Sequence, residues 1–138
     1  MSVGLKVDFL WYPIGTGDFV HSFFSTICFN LENKKWGSRF PYLMNDLYQG
    51  ELSYNNVKKA REELKIIHNE FALLSPDNVI WDIEDLNKQP PWGKNISQDI
   101  KNLSNYFVTS DGEDLFSQIE KAFDNSLIEN KDVLLVSL

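Results

Sequence analysis

The sequence predicts an α+β fold: a single domain over residues 1–138, with a mixed, mainly antiparallel sheet of about four strands packed with three to four helices. Three observations point there. Short β-rich runs stand near the start, in the middle and at the very end of the chain. Between them lie longer stretches whose apolar residues recur at helical spacing. The length of 138 residues suits one domain, and 10 Phe, 5 Tyr and 4 Trp supply a core that needs no disulfide or zinc. The expected order is β-α-α-α-β-β-α-β, with the helices mainly on one face of the sheet.

Val3 to Tyr12 alternates loosely, with Lys6 and Asp8 out of phase with Val7 and Phe9, and reads as a half-buried first strand. Pro13 ends it, and Ile14-Gly15-Thr16-Gly17 is a turn. Asp18 is placed to cap a helix bearing Val20, Phe23, Phe24, Ile27 and Leu31. Phe23, Ile27, Phe29 and Leu31 also fit one face of a strand; the cap and the length favour helix. Pro41 suits the first turn of a short helix ending at Gly50. Val57, Ala60, Leu64, Ile67, Phe71 and Leu74 form an unbroken helical stripe, with Ser53 as its cap and Ser75-Pro76 as its end. Val79 to Ile83 reads as a short strand, residues 84–103 as a long connection, and Asn105 to Thr109 as another strand. Ser110-Asp111-Gly112-Glu113 has the form of a capping box opening a helix with the stripe Leu115, Phe116, Ile119, Ala122, Phe123, Leu127. Val133-Leu134-Leu135-Val136 reads as a buried final strand.

The charge is unevenly placed. Residues 1–76 balance eight basic against eight acidic side chains, whereas residues 77–138 hold five lysines and twelve acids, so the whole net charge of −7 lies there. Such a surface repels phosphate backbones, which argues against direct nucleic-acid binding, and favours a cationic protein partner. A merely solvating acidic face is the competing interpretation. The lone Cys28 rules out an internal disulfide and a cysteine-based metal cluster. With no basic n-region before an apolar stretch at the start, and no run approaching a membrane span, a cytoplasmic protein is expected.

The search for chemistry is mostly negative. His21 and His68 have no partner at ligand or triad spacing, and Cys28, among Ile27, Phe29 and Leu31, reads as core. Gly15-Thr16-Gly17 lacks the third glycine of a dinucleotide loop, and Asp18 beside it would repel phosphate. Asp82, Glu84 and Asp85 form the densest acidic cluster; on a strand Asp82 and Glu84 share a face, the geometry for a metal or an acid/base pair. No EF-hand spacing or nuclease-type lysine accompanies them, so a solvated or partner-facing patch is favoured. Trp36 and Trp81 are open to either a core or an interface role. Trp92, after Pro90-Pro91 and before Gly93, is displayed by a rigid corner, the arrangement of an interface anchor.

Trp11-Tyr12-Pro13-Ile14-Gly15-Thr16-Gly17, His21 to Thr26, Phe40 to Gly50, Trp81-Asp82-Ile83-Glu84-Asp85-Leu86, Lys88 to Gly93, and Tyr106 to Gly112 together resemble the pattern of the immunity protein 70 family. The resemblance implies a bacterial immunity protein of a polymorphic toxin system, contact-dependent growth inhibition included. Such a protein binds the toxic C-terminal domain of its cognate toxin in the cytoplasm and blocks it stoichiometrically. It carries over no catalytic residue, metal or cofactor. Taken with the acidic excess, it makes Asp82, Glu84, Asp85, Trp92, Asp111, Glu113 and Asp114 the candidate toxin-binding residues; if the toxin is a nuclease, its basic substrate face is complementary to them. Two alternatives stand beside it: a small carboxylate-dependent hydrolase or metal-binding enzyme using Asp82, Glu84 and Asp85, and an adaptor with no toxin partner.

Overall fold

The expected first strand is two. In the computed structural model, which describes residues 2–138, β1 (Ser2–Val7) and β2 (Leu10–Thr16) form a hairpin in which Val7 pairs with Leu10. The two-residue turn uses Asp8 at φ +54°, a left-handed conformation that Asp tolerates better than most side chains. Pro13 does not stop the strand. It sits within β2, which lies at the edge of the sheet, where a missing N–H is tolerated. Beyond it Ile14 bulges out of register, and its carbonyl accepts a hydrogen bond from the Ser110 N–H (2.8 Å).

Two further strands complete the sheet. β3 (Glu51–Leu52) is too short to leave a pattern in the sequence; β4 (Val133–Ser137) is the expected final strand. The order is β2-β1-β4-β3 and every pairing is antiparallel, with no parallel component. The α+β class is as expected.

Of three fifteen-residue helices, α1 (Gly17–Leu31) and α3 (Leu115–Glu129) pack on the sheet, and α2 (Val57–Phe71) packs against those two. Their caps differ from those anticipated. Thr16, not Asp18, caps α1 by accepting from the Phe19 N–H, and Asp18 stands in the first turn, where negative charge is favourable. Asp114 caps α3 through the Ser117 N–H (3.0 Å), one residue beyond the expected box, because Ser110 is engaged with β2. Ser53 caps a 3-10 turn, Tyr54–Asn56, that leads into α2. The expected helix after Pro41 is a π-helical stretch, Tyr42–Leu47, whose first free N–H groups are taken by the buried Glu63 carboxylate of α2 (Leu43, 2.9 Å; Tyr42, 3.3 Å). Burial pushes the Glu63 carboxyl above its ordinary value, against the opposing pull of those two hydrogen bonds.

The expected strands at Val79–Ile83 and Asn105–Thr109 are absent. The first is clamped to α1, as described below. In the second, Tyr106 and Phe107 are both buried, so the alternation a strand needs is lost; only Val108 makes a single bridge, to Asp114. The core is centred on Phe23 of α1, which meets Phe71 of α2, Phe107 and Phe116 of α3 edge-on at 5.2–6.3 Å. Val57, Ala60, Leu64, Ile67 and Phe71 are all buried, as their spacing requires.

Phe71 joins three of these elements, so Phe71→Ala should lower unfolding stability by about 3–5 kcal/mol. An unmoved denaturation midpoint would show that the stripe contributes little to the core.

Candidate partner-binding face

Helix α1 is buried on two sides, and its second side is polar. Ser22, Ser25 and Thr26 are completely buried, a costly arrangement for hydroxyls unless each finds a partner. All three bond the chain after α2. Ser22 Oγ donates to the Ile80 carbonyl (2.8 Å), Thr26 Oγ1 accepts from the Ile80 N–H (3.0 Å), and Ser25 Oγ accepts from the Ile83 N–H (3.1 Å). Asn30 extends the row by donating to the Asn78 carbonyl (2.9 Å). These contacts use the backbone groups a neighbouring strand would otherwise take, and the chain bends at Trp81 and turns at Ile83, so Val79–Ile83 belongs to no sheet.

His21 completes the row. Its Nε2 lies 3.3 Å from Asp82 Oδ1 and its Nδ1 2.7 Å from the Tyr48 hydroxyl. A neutral ring donating from Nε2 to Asp82 and accepting at Nδ1 from Tyr48 satisfies all three groups. Trp36 stacks on the imidazole at 6.2 Å and meets Tyr48 edge-on at 4.9 Å, while its own N–H donates to the Met44 carbonyl. Burial, helped by the charges of Glu84 and Asp82, raises the Tyr48 hydroxyl above its ordinary value. Sequence reasoning missed His21 and Tyr48, since Asp82 is 61 residues from His21 in the chain.

The acidic cluster is displayed from this clamp on consecutive turns, not on a strand, and Asp82 and Glu84 therefore share no strand face. Asp82 accepts from the Glu84 N–H (2.9 Å) and lies 3.5 Å from Lys88 Nζ; Asp85 accepts from the Asn87 N–H (3.2 Å). The hydrogen bond from Glu84, ahead of those from His21 and the charge of Lys88, holds the Asp82 carboxyl below its ordinary value. Glu84 is exposed and makes no side-chain hydrogen bond or ion pair among the described residues.

Trp92 is anchored rather than simply displayed. Its indole N–H donates to the Tyr106 hydroxyl (2.8 Å) and its ring meets Trp81 edge-on at 5.5 Å, yet it remains 37% exposed. Its free edge borders a shallow cavity of about 230 Å³ with Phe19, Ile96, Ile100 and Val108. Asp111, Glu113 and Asp114 stand apart, on the loop entering α3. Asp111 is exposed, Glu113 lies 3.7 Å from Lys121, and Asp114 is committed to its cap. No hydrogen bond or ion pair joins them to the 82–85 cluster among the described residues.

The remaining reactive side chains are tied into structure. Cys28 is buried, and burial, then Glu32, pushes its thiol up. The His68 ring lies against Phe116 at 4.6 Å. Gly15 belongs to β2 and Thr16 to the α1 cap, so no phosphate loop forms there. Among the described residues no three His, Cys, Asp or Glu side chains are grouped to hold a metal, and no helix is long and apolar enough to cross a membrane. The 570 Å³ cleft between α2 and α3 is bordered by only one of the candidate residues, Asp114.

Because the folded-state value of Asp82 is depressed, its stabilising contribution is complete above its ordinary value and is lost as pH falls through the depressed one. Asp82→Asn should therefore flatten that part of the acid limb of a stability-versus-pH curve. An acid limb identical to wild type would show that the Asp82 contacts are energetically idle.

No curated protein and no solved structure matches the chain. The family model for immunity protein 70 matches residues 5–135. The chain therefore belongs to the immunity protein 70 family.

Proposed function

We propose that this protein is an immunity protein that binds the C-terminal domain of a cognate bacterial toxin in the cytoplasm and neutralises it by stoichiometric occlusion, without catalysis of its own. The family match over residues 5–135 carries the reading. The toxin-facing surface is proposed to be the 82–92 segment, with Glu84 and Asp85 as steering charges and Trp92 as an anchor, and with Asp111 and Glu113 contributing at its margin. Two features support the choice. The acidic excess lies wholly in residues 77–138, complementary to a basic toxin surface such as the substrate face of a nuclease. The segment is also held in place before binding, by the α1 clamp and by the contacts of Trp92 with Trp81 and Tyr106, which limits the ordering cost of association.

The enzyme alternative using Asp82, Glu84 and Asp85 is less well supported, because Asp82 and Asp85 both accept hydrogen bonds from the turns that carry them. Glu84→Gln and Asp85→Asn are expected to remove no turnover. A specific hydrolytic or metal-dependent activity of the purified protein, lost in either variant, would make the enzyme reading the better one.

The direct test is co-expression with the toxin domain encoded beside this gene, scoring survival and co-purification; toxicity undiminished by the protein would end the proposal. Kinetics across a salt series then locate the surface. Surface charge acts mainly on encounter within a Debye length of about 8 Å at physiological salt, so association should slow as salt rises. Glu84→Lys should slow association severalfold more than Glu62→Lys, an exposed acid of the electroneutral half. Trp92→Ala should act mainly by speeding dissociation. Equal effects of the two reversals would remove the 82–92 segment from the interface while leaving the immunity reading in place.

A further inference from the structure

The face of the sheet turned away from the helices is apolar. Along each strand, successive side chains alternate between faces. Leu5 and Val7 of β1, Leu135 of β4 and Leu52 of β3 point into the core. Their neighbours form two rows on the other side. Trp11, Lys6, Leu134 and Glu51 are register partners across all four strands, and Pro13, Gly4 and Val136 follow in the next row. Trp11, Leu134 and Val136 take no part in the core. The Trp11 ring lies against Gly4, so closely that a Cβ there would meet ring carbons at 2.8 Å. An antiparallel sheet covered on one side ordinarily shows water a polar face. Here β4 is apolar on both sides: Val133 is buried, while Leu134, Leu135 and Val136 are half-buried.

We propose that this face is the contact surface of a homodimer, in which a second copy packs its own sheet against it. Charge decides the occupant. A basic toxin is drawn to surplus negative charge, but the only charges in the two rows are Lys6 and Glu51, one of each sign. They flank Leu134 in one row. A two-fold axis running along β4 between the copies lays Leu134 on Leu134 and Val136 on Val136. It also sets Lys6 of each copy opposite Glu51 of the other, so the pattern is self-complementary. Two chains of net charge −7 repel overall, and an electroneutral patch keeps that cost low where they meet. Three strands of five to seven residues, about 4.8 Å apart, with the two-residue β3 at one edge, give a footprint on the order of 200–300 Å² per copy, against about 800 Å² for a stable complex. The dimer is therefore a dissociating one, populated at high concentration.

Sedimentation velocity of the full chain from roughly 5 to 500 µM, a range bracketing weak association, tests the proposal. The expected result is a mass rising from 16.0 kDa toward twice that value, with Leu134→Glu remaining monomeric throughout. Lys6→Glu and Glu51→Lys should each weaken association by about threefold or more, since each disrupts two symmetry-related pairs, and the double exchange should recover most of the loss. Lys6 and Glu51 are exposed, so both variants should fold, which circular dichroism checks. A wild type monomeric over the whole range overturns the proposal, as does a double exchange that associates no better than its single parents. Loss of toxin binding in Leu134→Glu with a monomeric wild type also overturns it, by giving the face to the toxin.

Discussion

The fold turns on the buried hydroxyls of α1. A helix that presents Phe23, Phe24 and Ile27 to a core and Ser22, Ser25 and Thr26 to a second buried surface needs two different neighbours. A buried hydroxyl left without a partner costs about 1–3 kcal/mol, so three of them would remove a large share of the roughly 5–15 kcal/mol that holds a domain folded. The backbone of residues 80–83 supplies the partners, and the clamped chain then runs on through Trp81, Trp92 and Tyr106 to Phe107, which closes against Phe23. The two sides of α1 are thus joined through one aromatic chain, and the long irregular connection is fixed at both ends by the same helix.

Most of the regular structure was legible because local periodicity and burial coincide there. Val57 to Phe71 and Leu115 to Phe123 are amphipathic in sequence and face one core in space. What failed, failed where the deciding partner is distant. The hairpin turn depends on Asp8 adopting a left-handed conformation, which an Asp between apolar residues does not announce. Val79–Ile83 has the composition of a strand, but side chains more than fifty positions earlier take its hydrogen bonds. Tyr106-Phe107 is β-like in content yet buried on both sides. A signal did exist for the clamp: Ser22, Ser25, Thr26 and Asn30 interrupt an otherwise apolar helix at the spacing of a single face, which is a reason to look for a polar partner.

The candidate site was legible as composition and not as geometry. The acidic count treats every carboxylate as available, whereas the structure spends several on the backbone. Asp82, Asp85 and Asp114 close turns or cap a helix; Asp132 accepts from the Tyr54 N–H; the buried Glu32 accepts from Gly37, Arg39 and Phe40, each at 3.0 Å. Held by these bonds, the groups are not free to rearrange around a partner. Glu84 and Asp111 are exposed without such duties, which separates the freely displayed charges from those that also hold the loops.

That division bears on how a small domain can combine a durable frame with a surface that differs among partners. The segment from 84 to 102 has little regular structure, so its outward side chains are constrained by neither helical nor sheet periodicity. Its ends are held by α1 on one side and by the Trp92–Tyr106 hydrogen bond and the Leu103 N–H to Leu74 carbonyl bond on the other. Exposed positions such as Glu84, Leu86 and Asn95 contribute nothing to those anchors and are replaceable at small cost. Positions such as Ser22, Asp82 and Tyr106 are not, because each substitution strands a buried or half-buried polar group. The physical constraint on α1 thus fixes the frame of the loop while leaving its displayed chemistry open.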